Sequence, residues 1–337
     1  MNTTTIGVDL AKSVFQVSVA NQAGRIVSRK RLSRSQFDRF LANHEPATIV
    51  METCSSAHHW ARKATSHGHQ PRLIHAPYVR PYVRRNKTDS ADADALLRAN
   101  QDHDIKPVPV KNENQQALQG LHRIRYQYDK TRKQRINLVH GLLAEFGLSL
   151  PKGTTKFASA LGQQTEVLPE SLRQALLPVI EEIAELERRI KQIELQLTAI
   201  GNQDPVVQRL MTIPGVGLII ATAMLASVPS IHTFQHARQF SAWLGITPRE
   251  FSSGSTRRLG SITKRGDPYL RTMLIHGARS ALNAAAITNE EQRTDLQRWA
   301  LALKARSCHN TAAVALANKM ARIIWCLWTR EEDYQRR

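Results

Sequence analysis

Apolar and polar positions alternate with a period of two in the early stretches TTTIGVDL (3–10) and SVFQVSVA (13–20), and after the turn NQAG a third short β-run, RIVSRKRL (25–32), follows. Such alternation marks strands with one buried face, and short turns between them make hairpins. A helix near 33–43, the buried strand ATIVMET (47–53), a helix over about 56–67 and the strand RLIHA (72–76) follow. The order β-β-β-α-β-α-β predicts a mixed α/β sheet whose first and fourth strands can lie side by side. Asp9 and Glu52 then fall at the ends of those two strands.

From about 115 to 200 the period lengthens to that of a helix. Leu176, Val179, Ile183, Leu186, Ile190, Ile193, Leu197 and Ile200 are spaced alternately three and four residues apart, with Glu, Arg, Lys and Gln between them. Four heptads predict a coiled coil. Its partner is either the helix near 115–146 of the same chain, running antiparallel, or a second copy, and self-association is the expected arrangement. Beyond about 205 the chain is mostly helical. TIPGVGLIIATAMLASV sets a Pro-Gly-Val-Gly turn between apolar helical stretches, which resembles a helix-hairpin-helix element. There Gly215 and Gly217 allow a close backbone approach, and the N–H groups that open the second helix near Leu218 can meet a phosphate. The Ser/Gly-rich segment FSSGSTRRLGSITKRGDPYLR carries Arg257, Arg258, Lys264, Arg265 and Arg271 ahead of another helix and reads as a DNA-facing loop. The pattern divides the chain into an α/β domain over 1–110, a helical linker with coiled coil over 111–204, and a C-terminal domain over 205–337.

Charge changes this picture more than overall composition does. With 337 residues, of which 42% are hydrophobic and 22% charged, the chain can bury one or two ordinary cores. Forty-seven Lys and Arg against 28 Asp and Glu, a net charge of +19, predict a polyanion partner, and nucleic acid fits best. The run YVRPYVRRNK interleaves Tyr78 and Tyr82 with Arg80, Arg84, Arg85 and Lys87, a pattern suited to RNA or single strands. The apolar tract TAAVALANKMARIIWCLW is interrupted by Lys319 and Arg322, so it reads as a buried helix and no membrane partner is expected. The opening MNTTTIGVDL has neither a basic nor an apolar leader region, and Cys54, Cys308 and Cys326 are too scattered for a disulfide framework or zinc knuckle. A cytoplasmic, nucleoid-associated location is expected.

Against this basic background RNKTDSADADALL (85–97) crowds Asp89, Asp92 and Asp94 together. A two-metal site needs converging carboxylates, because Mg²⁺ or Mn²⁺ takes hard oxygen ligands. Asp89 and Asp92, three apart, share one helix face and can join Asp9 and Glu52 there. Asp94 points elsewhere and is expected to be a bystander. The same acids could instead favour a helix N-terminus. Their combination with GVDLAK and VMET at two strand ends favours the metal.

GVDLAK, VMET, RNKTDSADADALL, IPGVG, FSAWLGITPREFSSGS and KRGDPYLRTMLIHGAR together resemble the DEDD-type insertion-sequence transposases, also described as bridge-RNA-guided serine recombinases, over nearly the whole chain. The resemblance implies a RuvC-like (RNase H-like) N-terminal domain with its acidic tetrad at Asp9, Glu52, Asp89 and Asp92. It implies a C-terminal transposase domain whose nucleophilic serine falls on Ser253, with Ser252 and Ser255 beside it. That serine would join covalently to a DNA phosphate while the Mg²⁺-bearing domain of a neighbouring protomer assists. Donor and target double-stranded DNA, a noncoding bridge RNA and a homo-oligomer, dimer or tetramer, are the implied partners.

Chemistry supports the assignment, because a serine hydroxyl needs activation and positive charge on the phosphate it attacks. Arg249, Arg257 and Arg258 lie within five residues of Ser253. After Glu52 the chain reads TCSSAHHW, and His58 and His59 are expected to be ordinary structural histidines, since His is not a preferred Mg²⁺ ligand. Trp243 is expected to pack against the hairpin helices. Two rival functions remain, a metal-dependent junction-resolving or hydrolytic nuclease and an inactive nucleic-acid-binding protein.

Overall fold

The computed structural model describes residues 4–83, 89–149 and 167–335, with the side chains of Asp89 and Ser90 excepted. The chain divides into two compact units, Met1–Glu113 and Asn114–Arg337.

The first unit is built on five strands, β1 (Thr5–Asp9), β2 (Val14–Ala20), β3 (Ile26–Ser33), β4 (Thr48–Glu52) and β5 (Gln70–Ile74), in the order β3-β2-β1-β4-β5. β1, β2 and β3 pair antiparallel as hairpins, whereas β4 pairs parallel with both β1 and β5. The first and fourth strands therefore do lie side by side. Helix α1 (Arg34–Asn43) begins at a capping box in which Ser33 and Gln36 satisfy each other's backbone N–H groups. With α2 (Ala57–Ser66) it covers one sheet face, where Ile6, Val8, Ile49 and Met51 meet Phe37 and Trp60. Phe15, Phe37 and Trp60 pack edge to face there, with Phe15 5.3 Å from Phe37 and 5.1 Å from Trp60. After a short turn of helix, α3 (Ala76–Val79), comes α4 (Asp89–Asn100), whose Ala95, Leu96 and Ala99 pack with Val50 and Ile74 on the opposite face.

In the second unit α5 (Glu113–Ala144) and α6 (Glu170–Gln203) form a long pair. Arg125 bonds Glu194, Arg132 reaches Glu187 and Arg135 bonds Glu182, so the partner number falls as the other rises and the helices run antiparallel. Leu176, Ile183, Leu186, Ile190, Ile193 and Leu197 are buried. Val139 and Leu143 of α5 cluster with Leu176 and Ile183, and Leu118 clusters with Ile193 and Leu197. The heptad seam expected to serve self-association is thus covered within the chain, because α5 carries both the apolar residues and the arginines that match it.

Short α7 (Pro205–Met211), capped by Asp204, leads through a turn into α8 (Leu218–Ser227). Then come α9 (Ala237–Trp243), the two-stranded ribbon β6 (Pro248–Glu250) and β7 (Leu259–Ile262), α10 (Pro268–Ile287), α11 (Asp295–Arg306) and α12 (His309–Arg330). Met224, Phe240, Leu274, Leu316 and Ile324 belong to their common core. The tract with Lys319 and Arg322 is α12, and among the described residues no helix is long and apolar enough to cross a membrane. The three cysteines are free thiols.

Candidate functional site

Strand register decides where the acids point. Ile6 and Val8 face the α1 and α2 side, so Gly7 and Asp9 face α4. Parallel pairing of Val8 with Met51 puts Asp9 and Glu52 at the same level, and Glu52 shares the α4 face with Val50. On that face α4 approaches very closely, since a Cβ added to Gly7 would lie 2.4 Å from the Ala93 carbonyl oxygen. The close approach seats α4, which carries Asp92 next to Ala93, on the sheet face that Asp9 and Glu52 share. Asp89 opens α4, but its side chain lies outside the described residues.

Asp9, Glu52 and Asp92 are half-buried. Among the described residues no three His, Cys, Asp or Glu side chains converge closely enough to hold a metal ion. Carboxylates without a compensating cation repel one another. As a donor set, the acids offer only oxygen, the kind that Mg²⁺ and Mn²⁺ prefer.

Asp94 has a different task. It is 8% exposed, accepts a 2.7 Å hydrogen bond from Ser18 Oγ and pairs with Arg29 Nη2 at 2.9 Å. Burial disfavours its charge, but the bonds from Arg29 and Ser18 outweigh that and hold its carboxyl below the ordinary value. It pins α4 to β2 and β3. His58 accepts from the Lys111 backbone N–H at 3.2 Å, and burial, helped by the charges of Lys111 and Arg62, pushes its pKa down to about 4. His59 stands edge-on to Trp60. Both fit structural roles.

The run from Tyr78 divides. Tyr78 is 57% exposed and Arg80 is exposed as well. Tyr82 instead donates its hydroxyl to Asp102 Oδ2 at 2.5 Å. Arg84, Arg85 and Lys87 lie outside the described residues.

In the second unit the two turn glycines also divide. Gly215, at φ +85°, packs against α10, where a Cβ would come within 2.5 Å of the Gly277 carbonyl oxygen. Its lack of a side chain serves helix packing. Gly217 caps α8 and faces open space. Trp243 packs on Phe240 and Phe234 and is 38% exposed.

The segment expected to be a loop is a β-hairpin. Phe251 N donates to Arg258 O at 2.8 Å, and Ser253 and Thr256 exchange backbone bonds of 3.2 and 3.1 Å around a tight turn. Gly254, at φ +54°, supplies the left-handed residue that turn needs. Ser253 therefore sits at the tip of an exposed ribbon. Ser252 is committed elsewhere, donating to Glu250 Oε1 at 2.7 Å and accepting from Arg258 N at 3.2 Å, and Arg257 pairs with Glu250 at 3.4 Å. Arg249, Arg257 and Arg258 are exposed, as are Lys264 and Arg265. Arg271 turns inward, donating to the Gly266 carbonyl at 3.0 Å. The sequence reading missed the Glu250–Ser252 link.

Another cluster unforeseen in the sequence ties α5 to the C-terminal helices. His122, 2% exposed, lies 3.0 Å from both Tyr269 Oη and Thr222 Oγ1. Burial, reinforced by the Arg125 charge, lowers its pKa to about 4.

Strand-end carboxylates beneath an acidic helix, in a chain that also carries a serine-tipped arginine ribbon, fit the class of enzymes that break and move DNA, the recombinases and transposases. A transposase family model of the DEDD IS110 group matches residues 6–147, and the model of the transposase IS116/IS110/IS902 family matches residues 207–294. The chain is 41% identical to a probable family 20 transposase of Pseudomonas aeruginosa across 99% of each protein. It is 37% identical to the transposase for insertion sequence element IS1111A of Coxiella burnetii, over 98% of this chain and 91% of that one. A pilin gene-inverting protein of Moraxella bovis is 22% identical over 81% of each. This chain belongs to the IS110/IS116 family of insertion-sequence transposases.

Proposed function

We propose that this transposase cuts and rejoins donor and target DNA through a covalent phosphoserine link at Ser253, directed by a noncoding RNA. The carrying observation is the position of Ser253 at the tip of an exposed ribbon, flanked by exposed Arg249 and Arg258. Its hydroxyl oxygen attacks phosphorus as the proton leaves to a base, and the bond to the departing sugar oxygen breaks, which takes up a proton. A free hydroxyl end and a serine phosphodiester result. Reversal with another hydroxyl end rejoins DNA without ATP, since one phosphodiester is exchanged for another. The neighbouring guanidiniums neutralise the attacked phosphate.

In the first unit Asp9, Glu52, Asp89 and Asp92 would hold a divalent ion in a RuvC-like domain. Bound there, it would supply Lewis-acid stabilisation of the phosphate and lower the pKa of a coordinated hydroxyl. Exposed Tyr78 and Arg80 suit a single-stranded guide, by stacking and charge. The Moraxella relative supports rejoining over simple hydrolysis, because a gene is inverted only when opened ends are joined again.

The test is a denaturing gel of the protein with labelled element-end DNA, flank-derived RNA and Mg²⁺. A labelled band at protein mass, absent in Ser253→Ala and in Asp9→Asn, is expected. Cleavage without that band, still present in Ser253→Ala, would make the protein a metal nuclease.

A further inference from the structure

The ribbon has two unlike faces. Glu250 and Ser252 bond each other and engage Arg257 and the backbone of Arg258, so that face is closed on itself. Arg249, Phe251 and Ser253 alternate onto the opposite face. Glycine confirms the arrangement independently, since a Cβ on Gly260 would meet the Phe251 ring at 2.9 Å and the Arg249 Cβ at 4.0 Å. The Phe251 ring therefore lies across the bare backbone of Gly260, a known way of filling the gap that a strand glycine leaves. Even so, Phe251 remains 61% exposed on a segment whose every residue from 248 to 261 is exposed.

A large apolar ring held in water on an arginine-rich ribbon is costly unless a partner covers it. The geometry points to Phe251 as a wedge that inserts into the base stack of double-stranded DNA beside the phosphate attacked by Ser253. Charge selects this occupant. Arg249 lies beside the ring over Gly260, and Arg258 pairs opposite Phe251; both are exposed, so whatever covers Phe251 also brings negative charge, as a DNA backbone does. β-Ribbons enter DNA grooves, and apolar wedges of this kind unstack and kink base steps. Ser253 stands two positions beyond Phe251, about 7 Å at a rise of ~3.3 Å per residue, which spans roughly two base-pair steps. The wedge thus acts within two base pairs of the reacting phosphate. Unstacking loosens the backbone there and frees the strand to leave its original partner.

This inference rests on the reading of the ribbon as the DNA-attacking element, and its test separates the two. Element-end duplexes carrying 2-aminopurine at each position within two base pairs of the cut site are bound by Ser253→Ala protein with flank-derived RNA and Mg²⁺, so that no strand is broken. Fluorescence at one position is expected to rise severalfold on binding. In the Phe251→Ala, Ser253→Ala double variant the rise is lost and affinity falls roughly 5- to 150-fold, the range of one lost stacking contact. Phe251→Tyr in the same background restores both. An equal rise with and without the Phe251 ring overturns the wedge. So does a Phe251→Ala protein of lower mass by light scattering, which would make the ring a contact between copies. A wild-type protein that shows Phe251-dependent unstacking yet forms no covalent adduct would sink the serine chemistry and leave the wedge standing.

Discussion

The carbonyl oxygen of Ala93 lies 2.4 Å from the place a Cβ on Gly7 would occupy. This contact seats α4 on β1 and so brings the acid-bearing helix over Asp9 and Glu52. Gly7→Ala must push the helix away, and at ~1–3 kcal/mol for overpacking a tight contact it should leave a folded but weakened first unit. Urea unfolding reports the loss of stability. Turnover falls further than stability does if the acids depend on that seating, and a variant with unchanged turnover would show that they do not.

Asp92 and Asp94, two residues apart, should fail in opposite ways. Asp92→Asn removes a proposed metal ligand and should abolish chemistry while sparing stability and DNA binding. Asp94→Ala strands the buried Ser18 hydroxyl and the Arg29 guanidinium, costing about 2 kcal/mol. Thermal melts beside a transposition assay distinguish the two, and equal melting losses would refute the division of labour.

Ile190 and Leu197 are both buried in the α5–α6 pair. Replacing both with Asp should unfold part of the pair, visible as lost helical circular dichroism. Lower mass with full helicity would show that the seam joins copies instead.

His122 gives the second unit a pH dependence of definite sign. Its folded pKa of about 4 lies below the unfolded ~6.5, so the unfolded chain binds the proton first. The stabilisation is fully present above ~6.5 and is lost as pH falls toward about 4, by at most ~1.4 kcal/mol per pH unit. His122→Gln keeps a neutral donor and acceptor, and should show a shallower loss between pH 7 and pH 5 in chemical unfolding. Parallel slopes would exclude His122 as the source.

Arg257→Ala should weaken DNA binding about equally for all sequences and reduce the salt slope by about one. A titration of affinity against salt checks this, and an unchanged slope would remove Arg257 from the backbone contacts.

Much of this protein was legible from residue order alone, for a physical reason. Alternation and short apolar runs located β1 to β5, and heptad spacing located α6, because burial acts on each element locally. The strand order that joins β1 to β4 followed from the element sequence, and with it the adjacency of Asp9 and Glu52. Charge imbalance pointed to nucleic acid, since net charge is a sum that needs no coordinates. Tertiary structure decided the rest, where two distant segments compete for one group. It set Asp94 against Arg29, Tyr82 against Asp102 and Gly215 against Gly277, and it closed the heptad seam with α5. It also turned a serine-rich loop into a two-faced ribbon, committing Ser252 to Glu250 and leaving Ser253 at the tip. Spacing along a chain says which side chains share a face, but only the packed fold says what already occupies it.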